Sequence, residues 1–201
     1  MAQHEIPQYS LYGEAVQDVD ERFLHVESIA ERSALHNWKI RPHAHRDLHH
    51  LLLVQKGGGV LRVEDEEHAF RFPTLIALPR SCVHGFEFRP DTDGWIVSAS
   101  GALMDRIERA YPALGPVQRE VTVLRLTAAS ARATGNLFSA LVTEFRSQLL
   151  ARRIAAELLL IRIMVQTLRC KVEVKPDTAR SGGADAELAI RYRSLVEATF
   201  A

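Results

Sequence analysis

The chain has 201 residues, 47% of them hydrophobic, enough for one sizeable core or one domain with a small appendage. Its 25 Lys and Arg balance 25 Asp and Glu, so it lacks the basic surplus of a stand-alone nucleic-acid binder. Cys82 and Cys170 are too few for a disulfide framework, and "MAQHEIPQYS" carries no signal-peptide pattern, which points to a cytoplasmic chain. The longest apolar run, "AAELLLIRIMV", is broken by charge and too short for a bilayer, so no membrane partner is expected.

Taken along the chain, the first half reads as short strands. The runs "RFLHVESIAE", "HNWKIRPHAH", "HHLLLVQKGGG", "GVLRVEDEEHAFRF", "TLIALPR", "HGFEFR" and "GWIVSAS" succeed one another at a spacing of roughly 8–12 residues, as in a barrel or sandwich. "VEDEEHAF" predicts a hairpin, and Pro42, Pro73, Pro79 and Pro90 fall at run edges, where a missing N–H does least harm. After Ser100 the pattern turns helical. "ALMDRIERAY" is a short helix ended by Pro112, and a longer one starts at Thr127 with Leu137, Leu141, Val142, Phe145 and Leu149 at helical spacing. A third, over about 152–169, carries Ile154, Leu158, Ile161, Val165 and Leu168 in one stripe. That stripe fits either packing on the chain's own barrel or a seam between two copies. Residues 171–184, "KVEVKPDTARSGGA", read as a linker. "DAELAIRYRSLVEATFA" then predicts an amphipathic helix with nothing of its own to bury against, so the natural protein is expected to continue past Ala201.

Four of the nine histidines, His43, His45, His49 and His50, fall within "HAHRDLHH". Strand alternation puts His43 and His45 on one side, and "RDL" turns the chain. His50 then opens the next strand, sharing a side with Leu52 and Val54 and leaving His49 on the other. His84, in "PRSCVHGFEF", is a further candidate. Imidazoles gathered in this way suit Zn or another divalent transition metal, and they equally suit hydrogen bonding to an organic ligand without any metal. His4, His25, His36 and His68 read as surface or structural residues. Cys82 reads as a small buried filler, with a nucleophile as the alternative.

These residues resemble the cupin superfamily. Its first motif runs Gly, five residues, His-x-His, three or four residues, Glu, six residues, Gly; here His43, His45 and Gly57 fit, with His50 in the glutamate slot. Its second motif is matched by Pro79 and His84, while Pro73, Ser81 and Phe88 replace its two glycines and its asparagine. The resemblance implies a mainly β chain with added helices: a double-stranded β-helix barrel over 1–100, with His43, His45, His50 and His84 as metal candidates. The lost carboxylate leaves a neutral, all-imidazole set, poorer for hard cations.

The wider strings "IPQYSLYGE", "HVESIAERSALHNWKIRPHAHRDLHHLLLVQKGGG", "LPRSCVHGFEF" and "TDGWIVS" resemble AraC-type transcription regulators, in the branch that activates para-hydroxybenzoate and hydroxyphenylacetate catabolism. "RYRSLVEATF" resembles the start of their DNA-binding region. This resemblance implies an effector-binding barrel, a helical dimerisation segment over 101–170, the 171–184 linker, and over 185–201 the first helix of a helix-turn-helix domain. The implied partners are a small aromatic acid, a second copy of the chain, DNA and RNA polymerase. For such an acid, Arg41 shares the parity of His43 and His45 and is the candidate carboxylate anchor, a surface charge being its alternative. Trp38, Phe86, Phe88 and Trp95 are candidates for an aromatic wall; Trp38 and Trp95 equally suit core packing. One departure is visible: the branch is expected to carry glutamine after "RDLH", where this chain has His50. The competing function is a metal-dependent cupin enzyme, an oxygenase or isomerase, which would need an open coordination position and a general base, and no carboxylate is interleaved with the histidine motif.

Overall fold

The computed structural model describes residues 21–63 and 66–174; His4, residues 64–65 of the predicted hairpin, the predicted linker beyond 174 and the predicted last helix lie outside the described residues. In chain order the elements are β1 (Leu24–Ser28), α1 (Ile29–Ala34), β2 (Lys39–His43), β3 (Leu48–Lys56), β4 (Gly58–Val63), β5 (Glu66–Arg71), β6 (Thr74–Leu78), β7 (His84–Phe88) and β8 (Asp93–Ser100). They continue with α2 (Gly101–Ala110), a 3-10 turn (Pro112–Leu114), α3 (Gly115–Arg119), β9 (Thr122–Arg125), α4 (Ala128–Arg146) and α5 (Arg152–Val174).

The strands form two antiparallel sheets, ordered β1-β8-β3-β6-β9 and β2-β7-β4-β5. One core lies between them, where Leu52, Val54, Ile76, Leu78 and Ile96 of the first sheet meet Leu61, Val63, Phe70, Phe86 and Phe88 of the second. A second core lies on the opposite face of the five-stranded sheet, where Leu51, Leu53, Leu75 and Val97 pack against Leu103, Met104, Phe138, Leu141, Leu160 and Ile163 of the helices. Strand β3 is therefore buried on both faces from Leu48 to Val54, which is why Leu51–Val54 form a continuous apolar run instead of an alternation. The turn into β4 depends on Gly57: its φ is +74°, and a Cβ there would lie 2.5 Å from Thr92 Cα and Oγ1.

The structure departs from the sequence expectations at several points. "RFLHVESIAE" is not one strand, because a capping box closes β1: the Ser28 hydroxyl accepts from Glu31 N–H while the Glu31 carboxylate accepts from Ser28 N–H. Strand β3 begins at Leu48, two residues before His50. The segment after Ser100 is not purely helical, since β9 pairs with β6 and extends the first sheet. Helix α4 ends at Arg146, leaving Leu149 outside it and exposed, and α5 runs four residues into the predicted linker, to Val174. Helix α5 has two apolar faces. Ala156, Leu160, Ile163, Met164, Thr167 and Cys170 are buried, while Ile154, Leu158 and Val172 are exposed and Ile161, Val165 and Leu168 are half-buried between them.

Candidate metal centre

His43 ends β2, His45 lies in the corner just beyond it, His50 is the third residue of β3 and His84 opens β7. All four side chains are buried and face one another. Ring centroids lie 4.7 Å apart for His43 and His45, 4.6 Å for His43 and His84, 4.7 Å for His45 and His50, and 5.7 Å for His50 and His84. His43 Nε2 and His45 Nε2 lie 3.0 Å apart. One ring nitrogen from each of His43, His45 and His84 falls within a 4.8 Å span.

The outer nitrogens are tied down. His43 Nδ1 lies 2.9 Å from the Arg41 carbonyl oxygen and His84 Nδ1 lies 2.9 Å from that of Cys82. A carbonyl only accepts, so each Nδ1 carries the proton and each Nε2 presents a lone pair to its neighbours. His50 Nδ1 lies 2.9 Å from Ser98 Oγ, its direct partner across the β3–β8 ladder, and His50 Nε2 is buried with no hydrogen-bond partner among the described residues. Burial disfavours the charged form of three of the rings. It lowers the His43 pKa, pushes His84 down to about 3 with His43 adding to the effect, and holds His50 well below its ordinary 6.5, with His45 and His84 contributing.

Beside the cluster a cavity of about 20 Å³ is lined by His43, His50 and His84, and by Arg32, Ile40, Leu52, Leu78, Phe86, Phe88 and Ile96. That is room for one water or ion, more than an order of magnitude below the roughly 300 Å³ at which pockets for drug-sized molecules begin. Two imidazoles with fixed tautomers and inward lone pairs, two more beside them, and an oxygen behind each of three rings form a donor set for a borderline transition cation, not for a hard one.

The sequence-nominated residues divide accordingly. His43, His45, His50 and His84 come together, and Phe86 joins them with its ring 6.0 Å from His84. Arg41 does not: its side chain is exposed. The register shows why, since Ile40 pairs with Phe86 and His43 with His84, so a bulge between them breaks the alternation that linked Arg41 to the histidines. Trp38 is half-buried at the edge of the inter-sheet core, Phe88 stacks on Phe86 at 4.8 Å, and Trp95 packs against the helix-side core beneath Arg146. His49 faces the helices, as alternation requires, with its pKa pushed down to about 4 by burial. Two neighbours escaped the sequence reading. Ser98 is found only through strand pairing, and Arg32, held by Glu27 at 2.6 Å, reaches the chamber wall from a helix that only the Ser28–Glu31 spacing signals.

Ser81, which stands where the second motif carries glycine, keeps a left-handed backbone (φ +61°). Its N–H donates to the His45 carbonyl at 2.8 Å and its hydroxyl to the Arg46 carbonyl at 3.2 Å. The glycine-type turn is thus retained without glycine, and it braces the corner that carries His45.

Residues 25–163 match the family model described as the AraC-like ligand binding domain. No curated protein matches the sequence. Among solved structures, the chain is similar to the AraC-like transcriptional activator CuxR, at 11% identity and a TM-score of 0.45 over 75% of this chain and 52% of that one. It is also similar to ToxT from Vibrio cholerae, at 5% identity and a TM-score of 0.39 over 73% and 56%. The chain thus spans a little over half the length of these two structures.

Proposed function

Because the chain belongs to the AraC-like ligand-binding domain family, we propose that it is the signal-receiving and dimerising part of a cytoplasmic transcription regulator, and that its histidine chamber takes a divalent transition metal. The family is one of ligand-binding domains, which bears out the reading that the chain is not an enzyme. No helix among the described residues is long and apolar enough to cross a membrane. DNA and RNA polymerase are the proposed downstream partners, reached through a helix-turn-helix domain beyond this stretch. The resemblance of residues 6 to about 100 to activators of hydroxylated aromatic acid catabolism supports a small aromatic acid as the effector.

The observation that carries the metal reading is the buried, unpartnered His50 Nε2 facing three other imidazoles. Leaving such a group unmet costs about 1–3 kcal/mol, which a bound cation would recover. His43, His45 and His84 would hold the ion, with His50 as the fourth donor; when bound it would cross-link β2, β3 and β7. Elemental analysis of tag-free protein, before and after chelation, tests this. About one transition-metal equivalent per chain, lost together with several degrees of thermal midpoint on chelation, is the expected result. Protein that holds no metal, and whose midpoint ignores added Zn, Ni, Cu, Fe or Co, would sink it.

The exposed stripe of α5 supports a homodimer. Ile154, Leu158, Ile161, Val165, Leu168 and Val172 recur at alternating intervals of four and three, the repeat of a helix–helix seam, while the opposite face of the same helix is already buried. The expected occupant of the stripe is the same stripe on a second copy.

A further inference from the structure

A second cavity, of about 250 Å³, opens away from the histidines, between β1, α2, the end of α4 and the first turns of α5. Leu24, Leu103, Phe145 and Ala156 give it an apolar floor, and Arg22, Arg152 and Arg153 give it a cationic mouth. The two carboxylates on its wall are already engaged: Glu157 is gripped by both terminal nitrogens of Arg106 at 2.8 Å, and Glu144 accepts from the Ser147 hydroxyl at 3.4 Å. Among the described residues neither Arg152 nor Arg153 forms an ion pair. Both arginines sit in the first turn of a 23-residue helix that has no acidic residue there. That is the end where the helix macrodipole disfavours cations and attracts anions.

We propose that this cavity binds a small organic anion, a single-ring or short-chain carboxylate. Its charge would lie between Arg152 and Arg153 and its apolar body against Phe145 and Leu103. The inference rests on the acid-sensing reading above for the ligand's class and is independent of the metal chamber, which is too small for such a molecule. The volume excludes larger ligands, since organic pockets for drug-sized molecules start near roughly 300 Å³. The position also suits a sensor. Ile154, the first residue of the proposed dimer seam, lines the same cavity as Leu24 of the sandwich, so an occupant touches both at once.

Titrating the methyl resonances of intact Ile- and Leu-labelled protein with benzoate and 4-hydroxyphenylacetate tests the site, with benzamide as the neutral analogue. Saturable shifts centred on Leu24, Leu103 and Ile154 with either acid are expected, none with benzamide, and affinity falling about tenfold or more in Arg153→Glu. Arg152→Glu serves as an independent second variant, and an unchanged methyl spectrum before titration shows that each variant is folded. Saturable shifts centred instead on Leu52 and Leu78 at the histidine chamber would overturn the site while leaving acid sensing intact. Binding that survives both charge reversals, or that benzamide reproduces, would likewise overturn it. No saturable shift with either acid would overturn both the site and the acid-sensing reading.

Discussion

Proton uptake by the buried histidines ties the protein's stability to pH. His43, His49, His50 and His84 all have folded pKa values below 6.5, His49 near 4 and His84 near 3, so they stay neutral in the fold while the unfolded chain protonates first. The unfolded state binds more protons in that window. Stability is therefore complete above about pH 6.5 and is lost as pH falls from there toward 3, by up to about 1.4 kcal/mol per pH unit for each such histidine. Urea midpoints of metal-free protein between pH 8 and 4 should be flat at the upper end and fall steeply below about 6; a flat profile throughout would contradict the burial of these rings. Behind the rings, Ser98 orients His50. Ser98→Ala should leave the fold intact and weaken metal binding about 10–100-fold, read by competition with a chelating dye. The histidines themselves were legible in the sequence because two motif spacings marked them. Ser98 was not, because a cross-strand partner 48 residues away leaves no local pattern.

Among the elements, α5 carries the most exposed apolar surface, and its two faces serve different ends. Ile154 is 65% exposed and Leu158 56% exposed, so replacing both with Glu removes little internal packing. The double variant should sediment as a folded monomer where the parent sediments as a dimer; an unchanged sedimentation coefficient would exclude this stripe as the seam. The sequence left two readings of the stripe open because periodicity reports an apolar face but not its neighbour. The β2 bulge has the opposite lesson: period two held for His49 and His50 and failed between Ile40 and His43, where pairing slips and carries Arg41 to the surface. Strand β9 was overlooked because "VTVLR" is short and lies between helical segments, so only its pairing with β6 identifies it. Helix α1 could have been found from Ser28-x-x-Glu31.

Across the whole molecule, sheet, sheet and helices form three layers, and the middle layer belongs to both cores. Phe138, fully buried where α4 meets the five-stranded sheet, is a centre of the helix-side core. Phe138→Ala should lower unfolding stability by about 3–5 kcal/mol without altering metal stoichiometry, since it lies on the far side of the sheet from the chamber. Denaturant curves paired with elemental analysis would check both halves of that expectation. The three-layer arrangement was only partly legible: the strand spacing announced a barrel or sandwich, but only the unbroken apolar run of β3 hinted that one sheet is covered twice. That run makes β3 a thin partition. His49 and His50 are joined by one peptide bond yet look into separate compartments, one lined by helices and one by imidazoles. A residue-by-residue scan from 49 to 54 should therefore yield two interleaved phenotypes, odd positions loosening the helical wall and even positions loosening the space between the sheets, with 50 and 52 also emptying the ion nest and neighbours in the chain behaving as strangers.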